Sequence, residues 1–263
     1  MFSELKDLVE HTSGLGLQII RIDGESDGAT VFRSMDTNKS VVLAGSFAKK
    51  IVDFEGVAGL SNLDHLKGYL NLYNQKDDNV KVVRKTRTIR EDKLDDQGNI
   101  VYDTDGKPET VSVETNDINE IVFTRSKPRM KNTYRAAGRN MIPDIPNFQG
   151  ASWDITIQPT SSAINMLAQQ ASIGYEKEVG LKTDDGSLFA VFDENDQNMV
   201  EIATDVEGSI NKSWVWPIDL LLTVLKMSNN ADCVMQVSDK GIAQITINTG
   251  VAEYNYLLPG RAR

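Results

Sequence analysis

The stretch Pro217-Ile218-Asp219-Leu220-Leu221-Leu222-Thr223-Val224-Leu225-Lys226 decides how this chain is read. Proline stands in the first turn of a predicted helix running to about Ser228, where its missing N–H costs nothing. An Asn-rich turn follows, then β-runs at Cys233–Val237, Ile242–Asn248 and Val251–Leu258, with a turn at Asp239-Lys240-Gly241 and the ending Tyr254-Asn255-Tyr256-Leu257-Leu258-Pro259. Working back, Pro159-Thr160-Ser161 opens a helix carrying Ile164, Leu167, Ala168 and Ala171. Strands are expected near Trp153–Ile157, Val179–Lys182, Leu188–Phe192 and Met199–Ala203. Trp214-Val215-Trp216 reads as a strand end packed on the last helix.

The first half repeats this order. Leu5, Leu8, Val9 and Thr12 make one apolar face of a helix over Glu4–Thr12, with Ser3 as its N-cap. A strand is expected over Leu17–Ile22. The turn dipeptides Asp23-Gly24 and Asp27-Gly28 precede strands near Thr30–Arg33 and Ser40–Ala44. A helix from about Ser61 buries Leu63, Leu66, Leu70 and Tyr73, and Val80–Val83 resumes strand character. A shift of 155 aligns Leu63 with Ile218, Asp64 with Asp219, Leu66 with Leu221, Leu70 with Leu225 and Asn74 with Asn229. A shift of 159 aligns Ser3 with Ser162, Leu5 with Ile164, Leu8 with Leu167 and Thr12 with Ala171. The repeated order is an internal duplication. Between the halves, 84–118 reads as a protruding hairpin insertion with turns at Asp96-Gln97-Gly98-Asn99 and Asp103-Thr104-Asp105-Gly106. Asn119–Thr124 closes it, and Arg125 to Gly150, with Pro128, Pro143 and Pro146, reads as an extended connector.

Composition narrows the function. The 263 residues carry a net charge of −10, a single cysteine, Cys233, and two histidines, His11 and His65. These features argue against a disulfide framework, a histidine-rich metal site and a coat held on nucleic acid by general positive charge. No apolar run approaches a membrane span and no signal peptide is expected at Met1–Asp7, so a cytoplasmic protein is expected. Charge is uneven: residues 76–140 hold 14 of the 28 Lys and Arg, whereas 141–263 hold 7 against 16 acids. The densest basic patch is Arg125, Lys127, Arg129, Lys131, Arg135 and Arg139, a candidate contact for DNA or an acidic protein.

The helix, turn, hairpin and closing Tyr–Leu–Pro order of the final segment resembles the DNA polymerase sliding clamps, the proliferating cell nuclear antigen type, and most of all those of tailed bacteriophages. The resemblance implies an α+β chain of two duplicated clamp domains, 1–126 and 151–263, joined by the connector 127–150, each with two helices packed on antiparallel sheets. It implies a head-to-tail homotrimeric ring around double-stranded DNA, loaded by a clamp-loader ATPase and tethering a DNA polymerase, with no cofactor, no metal and no catalysis. By position, Lys6, His65, Lys67, Lys177 and Lys226 would face DNA. Met141, Ile142 and Pro143 with Leu257, Leu258 and Pro259 would border a partner-peptide pocket. Ile121, Val122 and Phe123 would pair with Met199, Val200 and Ile202 of the next copy.

Two other classes compete. Asp23 and Glu25 at a strand end offer two carboxylates of the kind a metal-dependent nuclease needs, without a partner motif. A β-rich phage tail or baseplate protein is the other. Asp103-Thr104-Asp105-Gly106 lacks the later ligands of a calcium loop, and Gly14-Leu15-Gly16 lacks the third glycine of a nucleotide-binding turn.

Overall fold

The structure, a computed structural model, describes residues 1–24, 28–95, 97–145, 150–174, 177–193, 195–211, 213–228 and 232–263. Glu25, Asp27, Asp96, Pro146 and Asn229, on which parts of the sequence reading fall, lie outside the described residues. The first half runs α1 (Phe2–Glu10), β1 (Ile19–Asp23), β2 (Val31–Met35), β3 (Val42–Phe47), β4 (Val57–Ser61), α2 (Leu63–Leu72), β5 (Asn79–Asp92), β6 (Thr110–Arg125) and β7 (Met130–Arg135). After β8 (Ile155–Ile157), the second half runs α3 (Ser161–Ile173), β9 (Glu178–Asp184), β10 (Ser187–Val191), β11 (Met199–Ala203), β12 (Trp214–Pro217) and α4 (Ile218–Met227). It closes with β13 (Asp232–Ser238), β14 (Ile242–Asn248), β15 (Ala252–Pro259) and the short β16 (Arg261–Ala262).

Each half is thus a helix, four strands, a helix and three strands, and the strand orders agree. The four-strand group is ordered β4-β1-β2-β3 in the first half and β12-β9-β10-β11 in the second; the three-strand groups are β5-β6-β7 and β13-β14-β15. α2 and α4 both span 10 residues, and their first residues, Leu63 and Ile218, are the pair that the shift of 155 aligns.

The halves fuse through one antiparallel junction. β3 pairs with β15 from Phe47↔Ala252 to Val42↔Leu257, so an eight-stranded sheet, β4-β1-β2-β3-β15-β14-β13-β8, crosses from one half into the other. Alternation sends Ile20, Ile22, Phe32, Leu43, Tyr254, Tyr256, Ile245 and Ile247 to the buried face. Gly45 lies opposite both Phe32 and Tyr254 because a Cβ there would stand 2.4 Å from the Phe32 ring. The helices cover this face. Tyr256 Oη donates to the His11 carbonyl at the end of α1 (2.8 Å) and lies 3.8 Å from Met227 Sδ in α4, so both helices sit on the same side of the junction. α1 also packs on α2, and α4 on α3.

Two local expectations are corrected. α1 begins at Phe2, so Ser3 is inside the helix and bonds the Glu4 carboxylate instead of capping. Part of the supposed connector is β7, whose Lys131, Asn132 and Thr133 gave no apolar alternation; it pairs with β6 and buries only Tyr134. The 84–118 segment is a hairpin made of the outer lengths of β5 and β6, paired from Asn79↔Thr124 to Asp92↔Thr110, with short pieces only at its tip, where Leu94 pairs with Ile100 and Tyr102 with Pro108. β4, buried along Val57–Leu60, is a strand the pattern had not marked.

Ile245→Ala, in the middle of the junction-side core, is expected to destabilise the fold by about 2–5 kcal/mol, and Tyr256→Phe by about 1 kcal/mol, both read by urea unfolding. Burial raises the pKa values of Tyr73, Tyr134, Tyr254 and Tyr256 above their ordinary values, that of Tyr134 to about 12. The folded state therefore holds these protons more tightly than the unfolded chain. The stability this confers is complete below about pH 10 and drains away as pH rises through the folded values. Phenolate absorbance should show these four tyrosines ionising only above pH 10, alongside loss of the fold.

Candidate functional site

The solvent side of the four helices carries most of the residues expected to face DNA. Lys6 in α1, His65 and Lys67 in α2 and Lys226 in α4 are all exposed, and Lys177 is exposed just before β9. The Lys177 carbonyl accepts the Ile218 N–H at the start of α4. Lys6 lies 3.9 Å from Glu10, Lys67 donates to Ser13 Oγ (3.3 Å), and the His65 ring lies tilted against Tyr69, centroids 4.4 Å apart. Glu10, Asp64 and Asp219 are exposed on the same helices, so three exposed lysines are matched in number by three exposed carboxylates, and α3 contributes the uncharged Asn165, Met166 and Gln169. The face is close to neutral in a chain of net charge −10.

Between α1 and α4 this face is indented by a groove of about 850 Å³. On its wall Asp7 accepts from Tyr254 Oη (2.6 Å) and Thr249 Oγ1 (3.0 Å), and His11 stacks on Tyr254 at 4.6 Å. These bonds tie the N-terminal helix to the C-terminal strand.

The basic patch divides. Arg125 is structural: its guanidinium grips Asp78 at 2.6 and 2.8 Å and donates to the Leu72 carbonyl at the end of α2. Arg139 bonds Asp117 at 3.1 Å. Lys127, Arg129, Lys131 and Arg135 remain exposed, along β7 and the turn before it. They form a basic strip.

The expected pairing edge is corrected as well. β6 is the middle strand of β5-β6-β7, so the backbone of Ile121–Thr124 is already bonded on both sides, and Ile121 and Phe123 are fully buried in the core. The open edge of that sheet on this side is β7, with Lys131, Thr133 and Arg135 exposed. On the expected partner strand the edge is real. β11 pairs with β10 on one side and with no described strand on the other, exposes Met199 and Glu201, half-buries Val200 and buries Ile202. Asp205 and Glu207 follow it, both exposed. β7 is third in its group, as β15 is, a place that the sheet order shows.

Nor does the structure bring the two parts of the expected peptide pocket together. Ile142 lies against Gly59 of β4, where a Cβ would be 3.0 Å from Ile142 Cγ1, and Met141 and Pro143 are exposed beside it. Leu257 pairs across from Val42 and Gln244 on β15, with Leu258 buried and Pro259 exposed. β4 and β15 are four strand spacings apart, about 19 Å. The connector runs instead toward a cleft of about 190 Å³ lined by Arg21, Asp23, Arg33, Asp144 and Ile145.

Of the competing carboxylate pair Asp23 and Glu25, only Asp23 is among the described residues. Asp23 is bonded by Arg21 at 3.0 Å, and no group of three His, Cys, Asp or Glu able to hold a metal occurs among the described residues. Asp103 accepts the N–H groups of Asp105 and Lys107, the bonding of an Asx turn. Trp214 and Trp216 donate to the carbonyls of Asp239 and Leu258, as packed strand residues. Among the described residues no helix is long and apolar enough to cross a membrane.

No protein-family model matches the chain, and no curated protein matches it in sequence. Solved structures do match in fold. The PCNA2–PCNA3 complex of Sulfolobus tokodaii superposes with a TM-score of 0.65 at 12% identity, covering 99% of this chain and 97% of that one. The A. fulgidus PCNA bound to the C-terminal region of FEN-1 gives 0.66 at 11%, covering 100% and 96%. The Entamoeba histolytica proliferating cellular nuclear antigen gives 0.64 at 9%, covering 99% and 96%. The chain has the fold of these clamps over its whole length.

The Arg125 guanidinium on Asp78 holds that carboxyl below the usual carboxylate range. Its contribution is therefore present above about pH 4, the unfolded value, and is lost as pH falls through the lower folded value. Asp78→Asn should remove this component, and acid unfolding followed by circular dichroism below pH 4 should become less steep.

Proposed function

We propose that this chain is a sliding clamp, a ring of head-to-tail copies around duplex DNA that tethers a DNA polymerase and is put in place by an ATP-driven loader. One observation carries the reading: the chain holds two topologically equivalent halves, joined through β3 and β15, and leaves the outer edge of each equivalent strand, β11 and β7, without a described strand partner. Pairing β11 of one copy with β7 of the next repeats the internal junction between copies. Such a contact is heterologous and closes only as a ring or continues as a filament. Three copies, the number the family resemblance implies, make six units. The domain limits 1–126, 127–150 and 151–263 belong to this reading, as does the phage subtype, which the acidic composition and divergent sequence support.

Charge supports the same junction. The β7 edge presents Lys131 and Arg135, and the β11 edge presents Glu201 with Asp205 and Glu207 behind it. Opposite charges on the two edges favour head-to-tail pairing and disfavour either edge meeting itself. The helices then line the hole, where Lys6, Lys67, Lys177, Lys226 and His65 touch phosphates. Because enclosure retains the DNA, a nearly neutral lining suffices, and outer acidity repels DNA from the wrong surface. The reading assigns the chain no reaction and no cofactor, and places it in the cytoplasm with the replicating DNA.

The expected mass in solution is three times 29.1 kDa, and negative-stain averages should show a threefold ring; a monomer or a twofold particle sinks the proposal and favours the tail-protein class. Lys131→Glu with Arg135→Glu should weaken association about tenfold or more by placing like charges across the junction. Adding Glu201→Lys should restore part of it, as sedimentation would show. Replacing Lys6, Lys67 and Lys226 by alanine should flatten the salt dependence of DNA binding, by about 0.9 in log–log slope per lost contact.

A further inference from the structure

The far end of the β5–β6 hairpin extends beyond β7, the strand that the proposed junction between copies uses. β6 pairs with β7 only from Glu120 onward, so the two strands run on for about 10 residues, roughly 30 Å, before the tip. The tip is built, not loose. Lys93, Val101 and Glu109 form a three-way backbone junction of 2.8 Å hydrogen bonds, and Lys93 Nζ meets Glu109 at 2.6 Å. From the junction spring two small hairpins, turned by Asp95 and Asp103, whose carboxylates accept the N–H groups of their own turns.

Each small hairpin carries an apolar cross-strand pair, Leu94 with Ile100 and Tyr102 with Pro108. Leu94 is 57% exposed, Tyr102 58%, Ile100 39%, and Val111 on β6 below them 40%. Single exposed apolar residues are ordinary, but four on one projecting tip mark a contact surface. Around them the sequence is acidic: residues 91–109 contain seven Asp and Glu and two Lys, a net charge of −5.

We propose that this tip is a docking arm for a protein partner that presents apolar side chains ringed by lysine and arginine. The charge selects that occupant. A duplex or a single strand of DNA is repelled by net −5, and a second copy of this acidic chain offers no match. Its basic strip, 127–135, contains none of the large exposed apolar side chains. The fixed turns and junction lower the ordering cost of binding, and Tyr102 and Leu94 supply the anchors on which such contacts concentrate.

The test is a subtractive selection on the full chain with a displayed library of random 16-residue peptides. Peptides are first depleted on Leu94→Ser/Tyr102→Ser, whose substitutions are at exposed positions, and then captured on the unaltered protein. The expected survivors are net basic, carry two or more apolar residues, and bind the unaltered chain at least tenfold more tightly than the variant. Their binding should also weaken in Glu91→Gln/Asp92→Asn/Asp105→Asn and with added salt. The absence of survivors, or survivors that are acidic or indifferent to the carboxylate changes, overturns the proposal. So does a drop in solution mass in the Leu94→Ser/Tyr102→Ser variant, which would assign the tip to self-association. The selection uses no DNA and needs no ring, so its failure and the failure of the clamp reading are told apart by solution mass.

Discussion

The structure depends on the backbone pairing of β3 with β15. Without it, the two halves would each end in an open strand edge with unsatisfied N–H and C=O groups. With it, one sheet of eight strands spans both. The same pairing puts Tyr254 and Tyr256 beneath α1, where their hydroxyls bond Asp7 and the His11 carbonyl. The first helix and the last long strand of the chain are therefore held by one set of contacts, so closing the sheet and closing the chain are the same event.

Duplication explains why the remaining edges are informative. The chain contains one copy of the junction, and the outer edges of the equivalent strands β7 and β11 have no strand partner among the described residues. Edge strands are commonly protected by charge, and here the protection has opposite sign on the two edges: basic along β7 and acidic along and after β11. A charge pattern that prevents indiscriminate pairing is also one that specifies direction. Half the chain's lysine and arginine fall in residues 76–140, and β7 and the hairpin account for most of it.

The hairpin shows how one pair of strands serves two environments. Near the body, Ile118, Ile121 and Phe123 of β6 are buried against the core; past Thr115 the side chains are mostly in solvent. There the strands persist because they pair continuously with each other, not because they cover apolar surface. The exposed apolar pairs at the tip sit where the fold makes no use of them.

Much of this was legible in the sequence. Helical spacing marked Leu63, Leu66 and Leu70, and Ile218, Leu221 and Leu225, and the shift of 155 between them fixed a duplicated α+β chain, because an amphipathic helix announces its buried face locally. β4 escaped because a strand buried on both faces shows no alternation, and β7 because one buried side chain, Tyr134, is too weak a signal. The site was less legible. The lysines expected to face DNA came from the resemblance, by position, and the helices place Lys6, Lys67 and Lys226 in solvent. Which strand lies at an edge, however, is a property of neighbours: the resemblance pointed to Ile121–Thr124, and only the sheet order placed β7 outside it. Likewise Arg125 and Arg139 are cations in sequence and ion-pair partners in space, since Asp78 and Asp117 reach them only once the hairpin folds. Local periodicity determined the elements and their repetition; long-range pairing alone decided which edges, charges and apolar side chains were left for other molecules.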